Sequence, residues 1–382
     1  LGACVSGYFV HGVEGTLVPA RWPGLTLDEL QPVLSLYPQV GAVRGVIWNS
    51  PRPFAASGLV ACSGATVFVK RHDGRVRTPG DLREEHAFMN HLHRSGAHVP
   101  RVLALRNGES APSREGYTYE VHALLPHADP YRDAVSWSPF ASVAHAHDAG
   151  RALAELHKAS EGFRAAPRRT GLLVADFRIL GSADPMAALL RRVAAEPLLA
   201  AALAERTWQA DIARVLLPLH AALAPFLSGL TPLWTHNDFH ASNLLWTGND
   251  AGSRVAAMLD FGLANRTTAV FDLATAIERN AVEWLRLEER ANDIAHADLA
   301  SAMIAGYRAV RPLSVAEARA LPHVLPLVHV EFALSELAYF HGIAQSPVES
   351  AAAYDDFLIG HAAWFGTAEG RALQAAVRDA AA

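Results

Sequence analysis

The sequence predicts an α+β protein of two lobes, a small β-rich one followed by a larger, mainly helical one. Three observations predict it. Between about Val40 and Pro126, short runs rich in Val, Tyr and Phe alternate with Pro, Gly and Ser turn signals, the pattern of a small sheet. Beyond Pro126 the chain becomes Ala-rich, and its apolar residues recur at helical spacing. One β-like island, Leu233 to Asp260, interrupts the helices and concentrates polar residues. The domain boundary is placed at 122/123, with an extension and the small lobe over 1–122 and the helical lobe over 123–382.

The elements follow in order. The first 40 residues read as an extension packed on the small lobe. Val43–Trp48, Leu59–Cys62, Ala65–Arg71 and Tyr117–Leu125 read as strands. Asn49–Gly58 is a loop by its Pro and Gly content, and Ser63-Gly64 is a tight turn, so the first three strands form a meander. Thr78-Pro79 opens a helix with a capping residue and Pro at its first position; Phe88, Met89 and Leu92 share one face, and Gly96 closes it. In the second half Ala149, Ala152, Leu153 and Leu156 mark an amphipathic helix. Further helical patterns span Pro185–Leu227, Phe271–Arg290, Ala297–Val310 and His323–Gly342. In the island, Asn243–Trp246 and Val255–Leu259 flank the turn residues Gly248-Asn-Asp250.

Composition narrows the function. A chain of 382 residues, 51% hydrophobic, has ample material for packed cores. Basic residues number 33 and acidic ones 38, a net charge of −5, which argues against binding driven by nucleic-acid phosphates. Only Cys4 and Cys62 occur, too few for a disulfide framework, which points to a reducing cytoplasm. No run approaches the roughly 18 uninterrupted apolar residues of a membrane span. The best candidate, Ile212–Leu227, is broken by Arg214, Pro218, His220 and Pro225. The expected partners are therefore a small molecule, with neither nucleic acid nor membrane. Oligomeric state is not legible.

The chemistry concentrates in Trp234-Thr-His236-Asn-Asp238-Phe-His240-Ala-Ser-Asn243 and Met258-Leu-Asp260-Phe-Gly262. A loop lets Asp238 and Asn243 face one site, and Asp260 closes a second apolar run, with Gly262 allowing a sharp turn. Oxygen ligands of this kind suit Mg²⁺, which needs only one or two carboxylates when phosphate oxygens complete its shell. In that reading Asn243 and Asp260 hold the metal, and Asp238 is left to accept a proton from an attacking hydroxyl. Each residue alone fits ordinary turn chemistry; the ordered set of all three is harder to reach by chance. The small lobe adds a cation. Of only two lysines in the chain, Lys70 ends the strand Thr66-Val-Phe-Val-Lys70, where a compact ammonium could contact the α/β-phosphates of a nucleotide. Glu85 shares the inward face of Phe88, Met89 and Leu92 and is its expected partner, whereas Glu84 lies to one side.

Lys70, Glu85, His236-x-Asp238-x₄-Asn243 and Asp260-Phe-Gly262, in this order, resemble the aminoglycoside phosphotransferase/choline kinase family over about Val43 to Leu273. The resemblance implies a protein-kinase-like two-lobe fold, ATP as donor and Mg²⁺ as cofactor. It also implies Asp238 as catalytic base or hydroxyl-positioning residue, Asn243 and Asp260 as metal ligands, Lys70 on the phosphates and Glu85 orienting it. Asp272-Leu-Ala274 matches a further feature, read as structural. Departures point to a small-molecule acceptor: Asn237 stands where protein kinases carry Arg, and no Ala-Pro-Glu follows Asp260-Phe-Gly262. Pro51–Gly58 replaces the Gly-rich loop, and Ser57 and Gly58 are its candidates for cradling phosphate. The adenine hinge is expected near Ala123 to Leu125.

Among 19 histidines, His236 is expected to fix the loop through the backbone, His240 to line the acceptor side, and His145, His147 and His157 to pack. Glu278, Glu331 and Glu336 lie within apolar helical patterns and are candidates for a cationic acceptor, against the simpler reading of surface glutamates. The expected activity is transfer of the γ-phosphoryl group of ATP, or GTP, to a hydroxyl of an aminoglycoside-like antibiotic, sugar, amino alcohol or homoserine-like metabolite. The rivals are a nucleotide-binding pseudokinase and a metal-dependent hydrolase built on His236, Asp238 and His240.

Overall fold

The computed structural model describes residues 8–287 and 293–382. It divides into two compact units, Leu1–Pro126 and His127–Ala382, a few residues beyond the boundary placed from sequence.

The first unit is built on a five-stranded antiparallel sheet in the order β3-β4-β5-β7-β6. Its strands are β3 (Val43–Asn49), β4 (Ala56–Cys62), β5 (Thr66–Asp73), β6 (Ser113–Arg114) and β7 (Tyr117–Ala123). The first three form the expected meander. Between β5 and β7 runs α2 (Pro79–Arg94), which starts on a capping box between Thr78 and Asp81 and is followed by Gly96 at φ +84, a left-handed position that suits glycine. The N-terminal extension contributes a hairpin, β1 (Phe9–His11) with β2 (Leu17–Pro19), and the helix α1 (Leu27–Leu34). Leu30, Val33 and Leu34 of α1 join Tyr37, Val60, Val69 and Val121 in one apolar core, so the extension packs on the sheet. The buried Arg71 of β5 pairs with Glu29 of α1 at 2.7 Å, which anchors it further.

In β4 the structure departs from expectation. The strand starts at Ala56, so Ser57 and Gly58 lie in it, opposite Lys70 and Val69 of β5, and not in the loop read from the sequence over Asn49–Gly58. The Ser57 carbonyl accepts the N–H of Ser50 at 2.7 Å, closing the β3–β4 hairpin. A Cβ on Gly58 would stand 2.3 Å from the Trp48 carbonyl oxygen, so the glycine answers to strand pairing. Strand β7 stops at Ala123, whose N–H donates to Arg101, and Leu125 lies past its end.

The second unit is mainly helical: α3 (Val143–Ser160), α4 (Pro185–Ala195), α5 (Pro197–Leu203) and α6 (Trp208–Leu223) precede the island. The helical stretch expected over Pro185–Leu227 is divided into three by Pro197 and by the turn before Trp208. Trp208–Gly229 is the one helical run among the described residues with the length and mean hydropathy, 1.4, of a membrane span; Pro218 lies inside it. The island forms two hairpins, β8 (Pro232–Thr235) with β11 (Asn265–Thr268) and β9 (Leu244–Trp246) with β10 (Val255–Met258). Then follow α7 (Ala269–Ala281), α8 (Ala297–Val310), α9 (Val315–Val324), α10 (Val330–Gly342) and α11 (Pro347–Ala352). A π-helical stretch, Ala353–Gly360, leads into α12 (His361–Trp364) and α13 (Ala368–Ala381). Helix α7 ends at Ala281, short of the expected Arg290, which lies outside the described residues, as does Cys4. Helices α3 and α8 meet backbone to backbone: a Cβ on Gly150 would stand 1.9 Å from the Met303 carbonyl oxygen, and one on Gly306 1.8 Å from that of His147.

Candidate active site

The two hairpins present the catalytic residues because the strands end where the polar residues begin. After β8 the chain turns through Asn237 at φ +62; after β10 it turns through Asp260 at φ +56, with the Gly262 N–H donating to Asp260 Oδ1 at 3.2 Å. Left-handed backbone at non-glycine residues is costly and persists where surrounding contacts dictate it. Asp272, fully buried at the start of α7, supplies such contacts. Its Oδ2 accepts the N–H of His236 at 2.8 Å and its Oδ1 that of Asn237 at 2.7 Å, while His157 Nε2 lies 3.0 Å from Oδ2. Asn280 accepts the Ala241 N–H and donates to the Phe239 carbonyl, pinning the far side of the loop. Arg168, absent from the sequence reading, donates to the Gly262 carbonyl at 2.9 Å and so holds the Asp260-Phe-Gly262 turn.

These supports bring Asp238 and Asn243 together. Asn243 Nδ2 donates to the Asp238 carbonyl at 2.9 Å and to its carboxylate at 3.2 Å, which leaves Oδ1 as the amide atom able to take a cation. The Asn243 carbonyl accepts the Leu259 N–H at 2.8 Å, tying this loop to the residue before Asp260. Asp238 is flanked by His240 Nε2 and Arg279 Nη2, each 3.6 Å from one of its carboxylate oxygens. Burial raises the proton affinity of Asp238, but His240, Arg279 and His236 outweigh it and hold the carboxyl well below its ordinary range. His236 spends both ring nitrogens on the loop: Nδ1 accepts the Asp238 N–H and Nε2 donates to the Leu259 carbonyl. With neither nitrogen left for a metal, the hydrolase built on His236, Asp238 and His240 falls away.

Beyond Asp238 lies a buried polar cluster. His361 Nδ1 is 3.4 Å and His329 Nδ1 3.9 Å from Glu278 Oε1, and His329 Nε2 is 3.4 Å from Glu336 Oε2. Arg279 Nε stands 3.8 Å from Glu278 Oε2. Both Glu278 oxygens, Glu336 Oε2, His329 Nε2, His361 Nδ1 and Arg279 Nε are buried without a hydrogen-bond partner. Each such atom costs about 1–3 kcal/mol, and so dense a group is typical of a place where a polar ligand completes the pairing. Aromatic rings wall it: Trp284 stacks on His361 at 3.9 Å, and Trp137 lies 5.6 Å from His361 and 5.7 Å from His329. Burial lifts the Glu336 carboxyl to about 8, while His361, His329 and Arg279 overcome the burial of Glu278 and lower its carboxyl.

Glu331, though on α10 with Glu336, is spent elsewhere. Its Oε1 accepts the N–H groups of Ile179 and Leu180 at 2.9 and 3.0 Å, holding a loop, and its Oε2 lies 3.9 Å from Arg192 Nη1. Arg279, His329, His361 and Trp137 escaped the sequence reading, although Arg279 adjoins Glu278 in a wholly buried helix. Lys70, opposite Glu120 in the sheet, and Glu85, buried on α2, belong to the first unit together with Ser57, Gly58, Ala123 and Leu125.

Residues 59–313 match the model of the phosphotransferase enzyme family. The chain belongs to that family. Among curated relatives, a homoserine kinase of Azorhizobium caulinodans is 27% identical over 280 residues, covering 73% of this chain and 75% of its own length. Among solved structures, a microcompartment-associated aminopropanol kinase aligns with a TM-score of 0.54 at 19% identity, over 92% of this chain and 99% of its own. An amicoumacin kinase solved with AMP-PNP and Ca²⁺ aligns at 0.54 and 14%, over 90% and 92%. The fold of this phosphotransferase is protein-kinase-like, with a β-sheet N-terminal unit and a helical C-terminal one, and the family's chemistry is phosphoryl transfer to a hydroxyl of a small molecule using a nucleotide and a divalent metal.

Proposed function

We propose that the protein transfers the γ-phosphoryl group of ATP, with Mg²⁺ and in the cytoplasm, to the hydroxyl of a small acceptor that also carries a protonated amine. The observation that carries this reading is the continuity of one site. The ionised Asp238 carboxylate contacts Arg279, and Arg279 contacts Glu278 at the edge of the buried polar cluster. Glu278 and Glu336 suit an ammonium, and the rings of Trp137 and Phe357 suit the carbon skeleton beside it. The homoserine and aminopropanol named for two relatives both combine a hydroxyl with an amine, and homoserine is the first acceptor to test.

Asn243 Oδ1 and the Asp260 carboxylate, an all-oxygen pair, fit Mg²⁺, which when bound would neutralise charge on the phosphate oxygens. Lys70 would contact phosphate and Glu85 orient it. Asp238 is too weak a base to ionise a free alcohol, since its carboxyl is held so low. Its role is to accept the acceptor's hydroxyl as a hydrogen bond, aim the oxygen at the γ-phosphorus, and take the proton late, once the new P–O bond has made that hydroxyl acidic. His240 and Arg279 steady the carboxylate in that pose.

A nucleotide-consumption assay over homoserine, amino alcohols, aminoglycosides and amine-free sugars tests the reading. Turnover is expected with an amine-bearing alcohol; turnover confined to amine-free sugars overturns the acceptor assignment. Tight ATP binding with no transfer to any acceptor would make the protein a pseudokinase.

A further inference from the structure

In the first unit three imidazoles converge on one carboxylate that phosphoryl transfer does not use. Glu120 lies in β7 and is 1% exposed. His72 Nε2 reaches its Oε1 at 2.9 Å, while His86 Nε2 at 2.8 Å and His122 Nε2 at 2.9 Å reach its Oε2. Strand pairing explains the convergence. Lys70 stands opposite Glu120, so His72 and His122, each two residues further along its strand, point to the same face of the sheet. His86 comes from α2, directly after Glu85. All three imidazoles are buried. Burial works against ionisation of Glu120, yet His122, His72 and His86 hold its carboxyl well below the ordinary range.

One buried carboxylate does not need three imidazoles to be paired. Three ring nitrogens with a carboxylate are, however, a donor set that zinc takes. The ligand atoms of His86, Glu120 and His122 lie within 4.8 Å of one another, a spread that one ion with bonds of about 2.0–2.2 Å can gather with small side-chain shifts. His86 Nδ1 sits 2.7 Å from Ser110 Oγ, the kind of outer contact that fixes the tautomer of a ligating imidazole.

We propose that His72, His86, Glu120 and His122 form a site for one divalent transition-metal ion, zinc by its donor set, which staples α2 to β5 and β7. On binding, each ligating Nε2 gives its lone pair to the ion and its proton is replaced by one on Nδ1. On His86 that Nδ1–H donates to Ser110 Oγ. The ion would lock the helix that bears Glu85 against the strand that bears Lys70.

The test is the metal content of the full chain, purified without chelator from zinc-supplemented culture, together with the visible spectrum of chelator-stripped protein titrated with Co²⁺. The expected results are about one zinc per chain and the d–d absorption of a cobalt ion in a low-symmetry nitrogen and oxygen site. The double variant His86→Gln, His122→Gln should lose the metal at least tenfold, and His361→Gln, which breaks the separate Glu278–His329–His361 group, should retain it. Zinc-free wild type whose stripped form gives no cobalt band overturns the proposal. So does metal that survives the double variant and disappears with His361→Gln. The cobalt titration uses the wild-type chain, so its outcome does not depend on the variants folding.

Discussion

Raising the pH from 6 to 8 should tighten the hold of the protein on an amine-bearing acceptor, because one of the two carboxylates offered to the ammonium is protonated at the lower end. Burial lifts the Glu336 carboxyl to about 8; Arg279 and His361 pull against that shift, and Asp238 and Glu278 reinforce it. His329, at 3.4 Å from Glu336, is driven by its own burial well below the ordinary imidazole range, so it stays neutral across this window. An acid of pKa about 8 is ionised to roughly 1% at pH 6, roughly 10% at pH 7 and half at pH 8. If only the ionised form grips the ammonium, the acceptor KM falls about tenfold over the first pH unit and about fivefold over the second. The assay is steady-state kinetics at saturating Mg-ATP, with the KM for ATP over the same range as control. Glu336→Gln should flatten the acceptor profile. A wild-type acceptor KM that does not change with pH, or a variant with the wild-type slope, refutes the reasoning. The same shift acts on stability in the opposite direction: a folded-state pKa raised from 4.5 to about 8 contributes stability below about pH 4.5 that is lost as the pH rises to about 8. The Tm gained on adding acceptor should therefore grow with pH.

Asp238→Asn should lower kcat by about 10²–10⁴ while leaving the Kd for Mg-ATP, measured by calorimetry, nearly unchanged; equal turnover would remove the assigned role. Asp272→Asn puts an amide where a carboxylate accepts two buried backbone N–H groups, and should cost about 3–5 kcal/mol in denaturant unfolding along with most of the activity. Gly150→Ala forces α3 from α8, because the new methyl overlaps the Met303 carbonyl, and should lower stability by about 1–3 kcal/mol with no change in acceptor preference.

Local chemistry was readable along the chain. Thr78, Pro79 and Asp81 start α2 where the sequence places it, since a cap needs only neighbours a few residues apart. Glu85 falls on the buried face by its spacing from Phe88, Met89 and Leu92. Asp238 and Asn243 meet because one short loop carries both. Errors arose where a partner is distant. Ser57 and Gly58 look like loop residues until β3 and β5 are laid beside them. Glu331 and Glu336 have the same sequence signature on one helix, yet one accepts the amides of Ile179 and Leu180 while the other faces His329.

The sequence by itself determined the two-part α+β layout, the caps, and the order of Asp238, Asn243 and Asp260, because those follow from periodicity and short-range geometry. Only the tertiary structure decided that Glu278, Arg279, His329, Glu336 and His361 share one buried cluster beside Asp238, and that His72, His86 and His122 share Glu120. Convergence of side chains from separate helices and strands is set by how the elements pack, and packing leaves no period or spacing in the chain to be read.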